Sequence, residues 1–295
     1  MPRKQFRVLV VYKKSAYQLY VVERRDPRMV RLARHQPARL RDLREAHAIH
    51  QHTLAAVISA LARAGVAHTL VYRVDLRTAA RSNLIVSVGG DGTFLHAAHV
   101  VDRTPILGVN SDPRRSEAVF CAATRETFEP MFIQAREGRT PLLALPRLQV
   151  RLNGRACLPL VVNDVLVAHD DPATMSRYHL RVGSSREAQK SSGIWIATAA
   201  GSSSAIAAAG GRQLPWTSSR FQYRSRELYE GRLARYHLTG GVLSARSAVE
   251  VVWMMRRGLA CIDGPHARLP LQYGDRLTIR PAPAHPLRVY GVRAA

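Results

Sequence analysis

A glycine-rich pentapeptide, Gly89 to Thr93, follows a short apolar run directly and carries one carboxylate, Asp91. Its three glycines let the backbone turn sharply and approach a ligand closely, because glycine has no Cβ. Backbone N–H groups at the start of a helix bind phosphate, and the helix dipole adds to the attraction. We therefore predict an anion site formed by Gly89, Gly90, Gly92 and Thr93.

Asp91 is a carboxylate inside this predicted anion site, where its charge repels a phosphate unless it exchanges a proton or holds a metal ion. A carboxylate that accepts the proton of an attacking hydroxyl, beside a loop that holds the phosphoryl donor, is enough for phosphoryl transfer. We predict that Asp91 is the general base. The alternative is that Asp91 only caps the following helix, a common use of Asp. The sequence has no Walker A motif.

A second polar cluster, Asn163 and Asp164, interrupts the apolar run VVNDVLVAH. Buried polar groups need hydrogen-bond partners. A ligand with hydroxyl groups and ring nitrogens can supply them, and so can a satisfied pair of core side chains or a strand bulge. Both interpretations stay open from these residues alone.

A third cluster lies in residues 191–211, where a strand-like segment leads to Gly201, three serines and a small-residue segment that ends at a Gly-Gly pair. Small residues let a backbone approach a ligand closely. The hydroxyls of Ser202, Ser203 and Ser204 can bind ribose or phosphate oxygens, or can cap the following helix. Taken alone, capping is the commoner use.

The first half of the chain alternates strand-like apolar runs with helical patterns. Leu54, Val57, Ile58 and Leu61 recur at helical spacing, and Gly65 stands where a helix C-terminal cap needs a positive φ. Such alternation predicts a parallel sheet covered on both faces, whose ligands bind beyond the carboxyl ends of the strands. The glycine-rich pentapeptide lies at one such end. The predicted strands are residues 7–12, 68–74, 84–88 and those from 106 onward.

After Thr140 and Pro141 the sequence changes to short β-rich segments separated by turn residues, which predicts antiparallel strands. We therefore predict an α/β fold with a parallel-sheet nucleotide-binding domain over 1–140 and a β-rich domain over 141–295, whose last segment can return to the first domain. Segment 212–236 is basic and aromatic without a clean period, so it can be a loop that closes over the site or an exposed insertion. The predicted strands lie in LALPRLQVRL, LPLVVNDVLVA, RYHLRVG, GIWIATA, VEVVWMM and DRLTIRP.

The chain is strongly basic: 44 Lys and Arg against 21 Asp and Glu give a formal net charge of +23 over 295 residues. Such a charge attracts nucleic acid, membrane surfaces or phosphorylated small molecules. The basic residues are scattered and aromatic residues make up only 6% of the chain, unlike a nucleic-acid-binding arm. The charge alone does not choose among these anionic partners, and we expect neither nucleic acid nor a membrane. An arginine-rich composition without a binding role is the alternative.

The spacing of the cysteine and histidine residues argues against a metal-binding or disulfide-linked protein. Cys121, Cys157 and Cys261 are far apart and form no CxxC pair, which argues against a zinc site and a disulfide framework. The clustered histidines lack further ligands at recognisable spacing, so we predict no protein-bound metal. The longest apolar runs are too short for a signal peptide or a membrane span. We expect a cytoplasmic protein.

The three clusters, in this order, resemble the NAD kinase family: a GGDGT loop, then an Asn-acid pair, then a strand that leads to Gly-Ser residues and a Gly-Gly pair. Ile262-Asp263-Gly264 and the following LQYGDRLTIR resemble the late DG turn and closing strands of the family. The resemblance spans most of the chain. It implies transfer of the γ-phosphate of ATP, with Mg²⁺, to the adenosine 2′-hydroxyl of NAD or NADH held in the cleft. It therefore implies small-molecule nucleotides as partners. The sequence leaves open polyphosphate as the phosphoryl donor in place of ATP. We also expect a homo-oligomer, either a dimer or a tetramer.

Carried over by matching positions, the resemblance makes Asp91 the base and the 89–93 loop the phosphate site, and it makes the second domain dinucleotide-binding. The remaining cofactor-binding residues that it implies are Phe94, Asn110, Asn163, Asp164, Thr198, Gly201, Ser202 and Ser203.

The chain departs from the common family pattern at several positions. Asp164 stands where Glu is usual, Ser192 where Asp is expected, and Ala205 where Tyr is frequent. Residues 108–117, GVNSDPRRSE, differ from GxNxGxLGF. These features resemble the divergent branch that holds mitochondrial-type NAD kinases and plant NADH kinases, so the choice between NAD and NADH stays open.

Two other functions compete with this interpretation. Diacylglycerol and sphingoid kinases share the GGDGT loop, but there it is followed closely by Asn-Glu, whereas FLHAAH follows here. A non-catalytic binder of nucleotides or nucleic acid would use the positive charge without turnover. A loss of turnover on replacing Asp91 distinguishes the enzyme from the binder.

Overall fold

The computed structural model describes residues 6–79, 81–231 and 235–291, which form two compact units. The first unit contains the residues up to Leu143 together with the segment that begins at Arg288, and the second contains Ala144–Leu287. The predicted boundary was at residue 140. Residues 1–5 and residues 232–234 of the predicted 212–236 segment lie outside the described residues.

The first unit is built on one six-stranded sheet in which β1 pairs in parallel with β2 and β3, and β4 pairs in parallel with β3 and β18. The strand order is β2-β1-β3-β4-β18-β5. This sheet and its helices confirm the predicted α/β class. The strands are β1 (Arg7–Tyr12), β2 (Ala67–Tyr72), β3 (Leu84–Gly89), β4 (Ile106–Asn110), β5 (Leu142–Leu145) and β18 (Leu287–Tyr290). The helices are α1 (Pro27–His35), α2 (Arg41–Arg63), α3 (Asp91–Ala98) and α4 (Phe128–Arg136).

The central strands of this sheet are mostly apolar because they are buried on both faces; Ser87 and Asn110 are their polar residues. Every residue of β3 and β4 is buried, and Leu54, Val57 and Leu61 of α2 pack in the same core. Gly65, with φ of +63°, ends α2 as the sequence predicts. The strand predicted over 68–74 ends earlier, at Tyr72, because Arg73–Asp75 turns into a 3₁₀ helix.

The second unit consists of two antiparallel six-stranded sheets, with orders β10-β9-β14-β17-β6-β7 and β13-β12-β11-β8-β15-β16. Alternate side chains of both sheets meet in one core that contains Tyr178, Ile196 and Trp253. The predicted β-rich second half is confirmed. The strands are β6 (Leu148–Leu152), β7 (Arg155–Val161), β8 (Asp164–Ala168), β9 (Ser176–Val182), β10 (Ser185–Ser191), β11 (Ile194–Ala197), β12 (Phe221–Ser225), β13 (Gly240–Leu243), β14 (Val249–Trp253), β15 (Gly258–Ile262), β16 (Ala267–Leu271) and β17 (Arg276–Pro281).

Two predictions about the second half need correction. The run LPLVVNDVLVA is not one strand, because the chain leaves β7 at Val161 and enters β8 at Asp164. Segment 212–236 is not wholly a loop or an insertion, since it contains β12, whose Phe221 and Tyr223 enter the core. The small-residue helix is short, with a 3₁₀ turn over Ala200–Ser203 and a single α-helical turn, α5 (Ala205–Ala208).

Candidate active site

The glycine loop of the first unit joins the buried strand β3 to helix α3. Gly89 ends the strand, Gly90 is extended at φ −124° and ψ −166°, and the helix begins at Asp91. A Cβ at Gly89 would lie 2.3 Å from the Thr93 Oγ1, so position 89 requires glycine for space rather than for a positive φ. The tight turn places the first N–H groups of α3 at the carboxyl end of the sheet, where an anion can bind.

Asp91 is half-buried and uses both carboxylate oxygens. The backbone N–H of Phe120 donates to its Oδ1 at 2.8 Å, and that of Val119 donates to its Oδ2 at 3.1 Å. Burial raises the pKa of Asp91, the two N–H groups oppose that shift, and the charge of Glu117 adds to it. The Asp91 carboxylate thus accepts hydrogen bonds from residues 119 and 120. It does not cap α3, whose N-cap residue is Gly90.

Asn110 and Phe94, both implied as cofactor-binding, shape the loops next to the glycines. The Asn110 Nδ2 donates to the carbonyl oxygen of Ser116 at 2.7 Å, and its Oδ1 accepts from the N–H of Asp112 at 3.0 Å. The ring of Phe94 is fully buried and stacks on Phe120 at a centroid distance of 5.1 Å. Both side chains therefore hold the 111–120 segment beside Asp91.

The second unit gathers its polar residues around the break between β7 and β8. Asp263, at φ +50°, accepts the backbone N–H groups of three consecutive residues, Val162, Asn163 and Asp164. The nearest contact is 2.7 Å, to the N–H of Asn163. Hydrogen bonds from N–H groups to a carboxylate are stronger than those to a neutral acceptor, so Asp263 fixes the bend between β7 and β8. In the sequence, Asp263 is recognisable only as part of a turn that resembles the family's, and no local pattern predicts this role.

Asp164 is a buried carboxylate at the first position of β8. Its Oδ2 accepts from the Ser204 hydroxyl at 2.8 Å and from the Asn163 Nδ2 at 3.2 Å. Burial raises the pKa of Asp164 to about 7, and the nearby Asp263 carboxylate adds to the increase. Asn163 and Asp164 therefore do form a pair, and the third serine, Ser204, belongs with them although the resemblance did not include it.

Thr198 and Gly201 hold the turn after β11 against this pair. The Thr198 Oγ1 donates to the carbonyl oxygen of Val162 at 2.6 Å and accepts from the N–H of Gly201 at 3.0 Å. A Cβ at Gly201 would lie 2.0 Å from the backbone oxygen of Asn163. Glycine at 201 therefore permits the close approach of two backbone segments.

The serines of this turn have different surroundings. The Ser202 hydroxyl is buried and accepts from the N–H of Leu214 at 2.8 Å, whereas Ser203 is exposed. Thr198, Gly201, Asn163 and Asp164 therefore form one cluster, which Ser202 supports from inside the unit. The roles of these residues in ligand binding stay predictions.

Comparison with known proteins identifies the family. The ATP-NAD kinase N-terminal domain family matches residues 6–122. A probable NADH kinase from Oryza sativa subsp. japonica is 35% identical over 254 residues, which cover 78% of this chain and 78% of that protein. This chain belongs to the NAD kinase family. The predicted resemblance is confirmed.

Two other proteins are also similar to this chain. The mitochondrial NAD kinase 2 of Homo sapiens is 35% identical over 127 residues, which cover 41% of this chain and 29% of that protein. The crystal structure of an NAD kinase from Archaeoglobus fulgidus in complex with ATP aligns at a TM-score of 0.69, with 22% identity over 98% of this chain and 94% of that one. This second similarity shows that the two proteins share a fold.

Proposed function

We propose that this chain transfers the γ-phosphoryl group of ATP to the adenosine 2′-hydroxyl of NAD or NADH, giving NADP or NADPH, with Asp91 as the general base. Membership of the NAD kinase family supports the reaction. The relative with the longest match reported above is named a probable NADH kinase, and the similarly folded archaeal NAD kinase was crystallised with ATP.

The position of the Asp91 carboxylate is the single observation that carries the proposal. It lies at the N-terminus of α3, in the glycine loop, and the N–H groups of Val119 and Phe120 fix its orientation. A carboxylate accepts about four hydrogen bonds, so two positions stay open to a substrate hydroxyl. Burial raises its pKa and therefore its affinity for the proton that the hydroxyl loses.

We propose that Mg²⁺ arrives with the ATP phosphates, where it would neutralise negative charge on the transferred group. Mg²⁺ sites commonly use one or two carboxylates together with substrate phosphates. Asp112 fits that pattern, because its Oδ1 is buried and has no hydrogen-bond partner among the described residues. Over residues 6–79, 81–231 and 235–291, no group of three or more His, Cys, Asp or Glu side chains could hold a metal ion.

Other expectations from the sequence stay predictions: a cytoplasmic location, a dimer or tetramer, and the absence of nucleic acid as a partner. In the described part of the chain, no helix combines the length and apolarity needed to cross a membrane. The alternative of a lipid kinase has no support from the comparisons.

The test is an assay of purified protein with ATP and Mg²⁺ and, separately, NAD, NADH or diacylglycerol. We expect NADP or NADPH, and no phosphorylated lipid. Asp91→Asn should lower kcat by about 10²- to 10⁴-fold, the usual contribution of a general base, with dinucleotide binding retained in calorimetry.

Asp75→Asn, at an exposed carboxylate of the same unit, is the matched control and should leave kcat unchanged. Turnover of lipid alone would refute the proposed function. Unaltered kcat in Asp91→Asn would remove Asp91 from the mechanism.

A further inference from the structure

The carboxyl ends of β2, β1 and β3 lie side by side, because β1 pairs in parallel with both neighbours. The residue that directly follows each strand is Arg73 after β2, Lys13 after β1 and Gly90 after β3. The backbone N–H of Lys13 extends the pairing by donating to Val88 at 3.4 Å. Two cationic residues, Arg73 and Lys13, therefore lie at the same edge of the sheet as the glycine loop.

Lys13 is a half-buried cation whose Nζ forms no hydrogen bond or ion pair with any described residue. Burial lowers the pKa of Lys13, the nearby Arg73 lowers it further, and the charge of Asp112 opposes the shift. The next residue behaves differently. The Nζ of Lys14 pairs with Glu23 at 2.9 Å and lies 4.8 Å from the centre of the Tyr72 ring.

Arg73 brings its guanidinium to the glycine loop itself. A Cβ built on Gly92 would lie 3.5 Å from the Arg73 Nη1. The Nε of Arg73 is buried and has no hydrogen-bond partner among the described residues, and the same holds for the Oγ1 of Thr93. One N–H donor and one hydroxyl are thus buried at the loop without a hydrogen-bond partner among the described residues, which is costly in the absence of a ligand.

The charge balance indicates an anionic ligand. Lys13 and Arg73 repel each other, and the N-terminus of α3 adds a partial positive charge of about half an elementary charge. Among the residues that the structure describes, Asp112 is the carboxylate whose charge acts on Lys13, and the Asp91 oxygens are held by the N–H groups of Val119 and Phe120. Such a cluster is stabilised by a ligand with several negative charges.

We propose that Lys13 and Arg73 bind the phosphate chain of the phosphoryl donor when it sits on the Gly90–Gly92 loop. The planar fork of Arg matches phosphate oxygens in pairs, and Lys supplies a compact charge. The inference rests on the proposed function for the identity of the donor as ATP. The pyrophosphate of the dinucleotide has the same chemistry, but contact with the loop assigned to the donor favours the triphosphate.

The experiment measures binding of inorganic triphosphate by calorimetry to the full chain and to Lys13→Met and Arg73→Gln. Each change removes charge-assisted hydrogen bonds, so we expect affinity to fall by about 10-fold or more. Arg73→Lys keeps the charge and should lose less affinity than Arg73→Gln. Steady-state kinetics should show a higher KM for ATP at an unchanged KM for NAD.

Lys14→Met and Arg77→Gln are the matched controls, because Lys14 is already paired and Arg77 is exposed. Both should bind triphosphate as the unmodified chain does. Triphosphate affinity within about twofold of the unmodified chain in Lys13→Met and Arg73→Gln would overturn the inference, as would a rise confined to the KM for NAD. Calorimetry needs no turnover, so the two proposals can fail separately. If the unmodified chain has no kinase activity but binds triphosphate, and Lys13→Met and Arg73→Gln weaken that binding, the proposed function is contradicted and this inference stands.

Discussion

Replacing Asp164 by Asn should stabilise the protein at neutral and alkaline pH and have little effect in acid. Asp164 is 4% exposed, and its pKa is raised from 3.8 to about 7. The folded state therefore holds the proton more tightly than the unfolded state does. Stability from this group is fully present below about pH 4 and is lost as the pH rises through about 7.

The size of the expected stabilisation follows from the pKa shift of Asp164. A change of about three pKa units corresponds to about 4 kcal/mol of destabilisation when Asp164 is ionised in both states. An Asn side chain carries no charge and can keep the bonds from Ser204 and Asn163 to its Oδ1. Weaker hydrogen bonds to a neutral acceptor offset about 1–2 kcal/mol. We therefore expect Asp164→Asn to raise the free energy of unfolding by about 2–3 kcal/mol at about pH 8.

Urea unfolding, followed by circular dichroism at about pH 5 and about pH 8, measures this difference. Asp75→Asn, at an exposed carboxylate, is the control and should change the free energy of unfolding by the same small amount at both pH values. The decisive quantity is the difference in the free energy of unfolding between Asp164→Asn and the unmodified chain, measured at both pH values. If that difference stays constant, or if the variant is less stable at the higher pH, Asp164 is ionised in the folded state and the reasoning is wrong.

Two further predictions concern the glycine turn and the proposed base. Gly201→Ala should destabilise the protein by about 3 kcal/mol, because the new Cβ would lie 2.0 Å from the backbone oxygen of Asn163; thermal unfolding measures this against Gly241→Ala, whose Cβ would meet nothing nearer than 3.4 Å. For Asp91, kcat/KM should fall as the pH decreases through the raised pKa of its carboxylate, with a midpoint above the value of about 3.9 for an ordinary Asp. The same acidic limb in the residual activity of Asp91→Asn would assign it to another group.

The first unit could be predicted from the sequence because local signals there agree with tertiary structure. An apolar run buried on both faces, a glycine loop and a helix follow one another in β3, Gly90 and α3, as the sequence predicts. The end of β2 could not be predicted in the same way. The apolar pattern continues to Val74, whereas the chain leaves the sheet after Tyr72.

The polar cluster of the second unit could be predicted only in part. Asn163 and Asp164 are visible as polar residues in an apolar run, but the break between the strands depends on Asp263, which lies 100 residues after Asn163 in the sequence. No local pattern carries that information. The strand β12 was missed for a related reason, since its core residues Phe221 and Tyr223 are surrounded by basic and serine residues.

Asp91 and Asp263 use the same structural device, and their hydrogen-bond capacity separates their roles. Each carboxylate accepts consecutive backbone N–H groups from a distant segment: Asp91 from residues 119 and 120, and Asp263 from residues 162 to 164. A carboxylate offers about four acceptor positions. The described residues occupy two of them on Asp91, whereas Asp263 is 7% exposed and makes four such contacts with three N–H groups. Asp263 therefore binds three N–H groups as a buried structural acceptor, whereas Asp91 binds two and keeps the capacity to take a proton from a substrate hydroxyl.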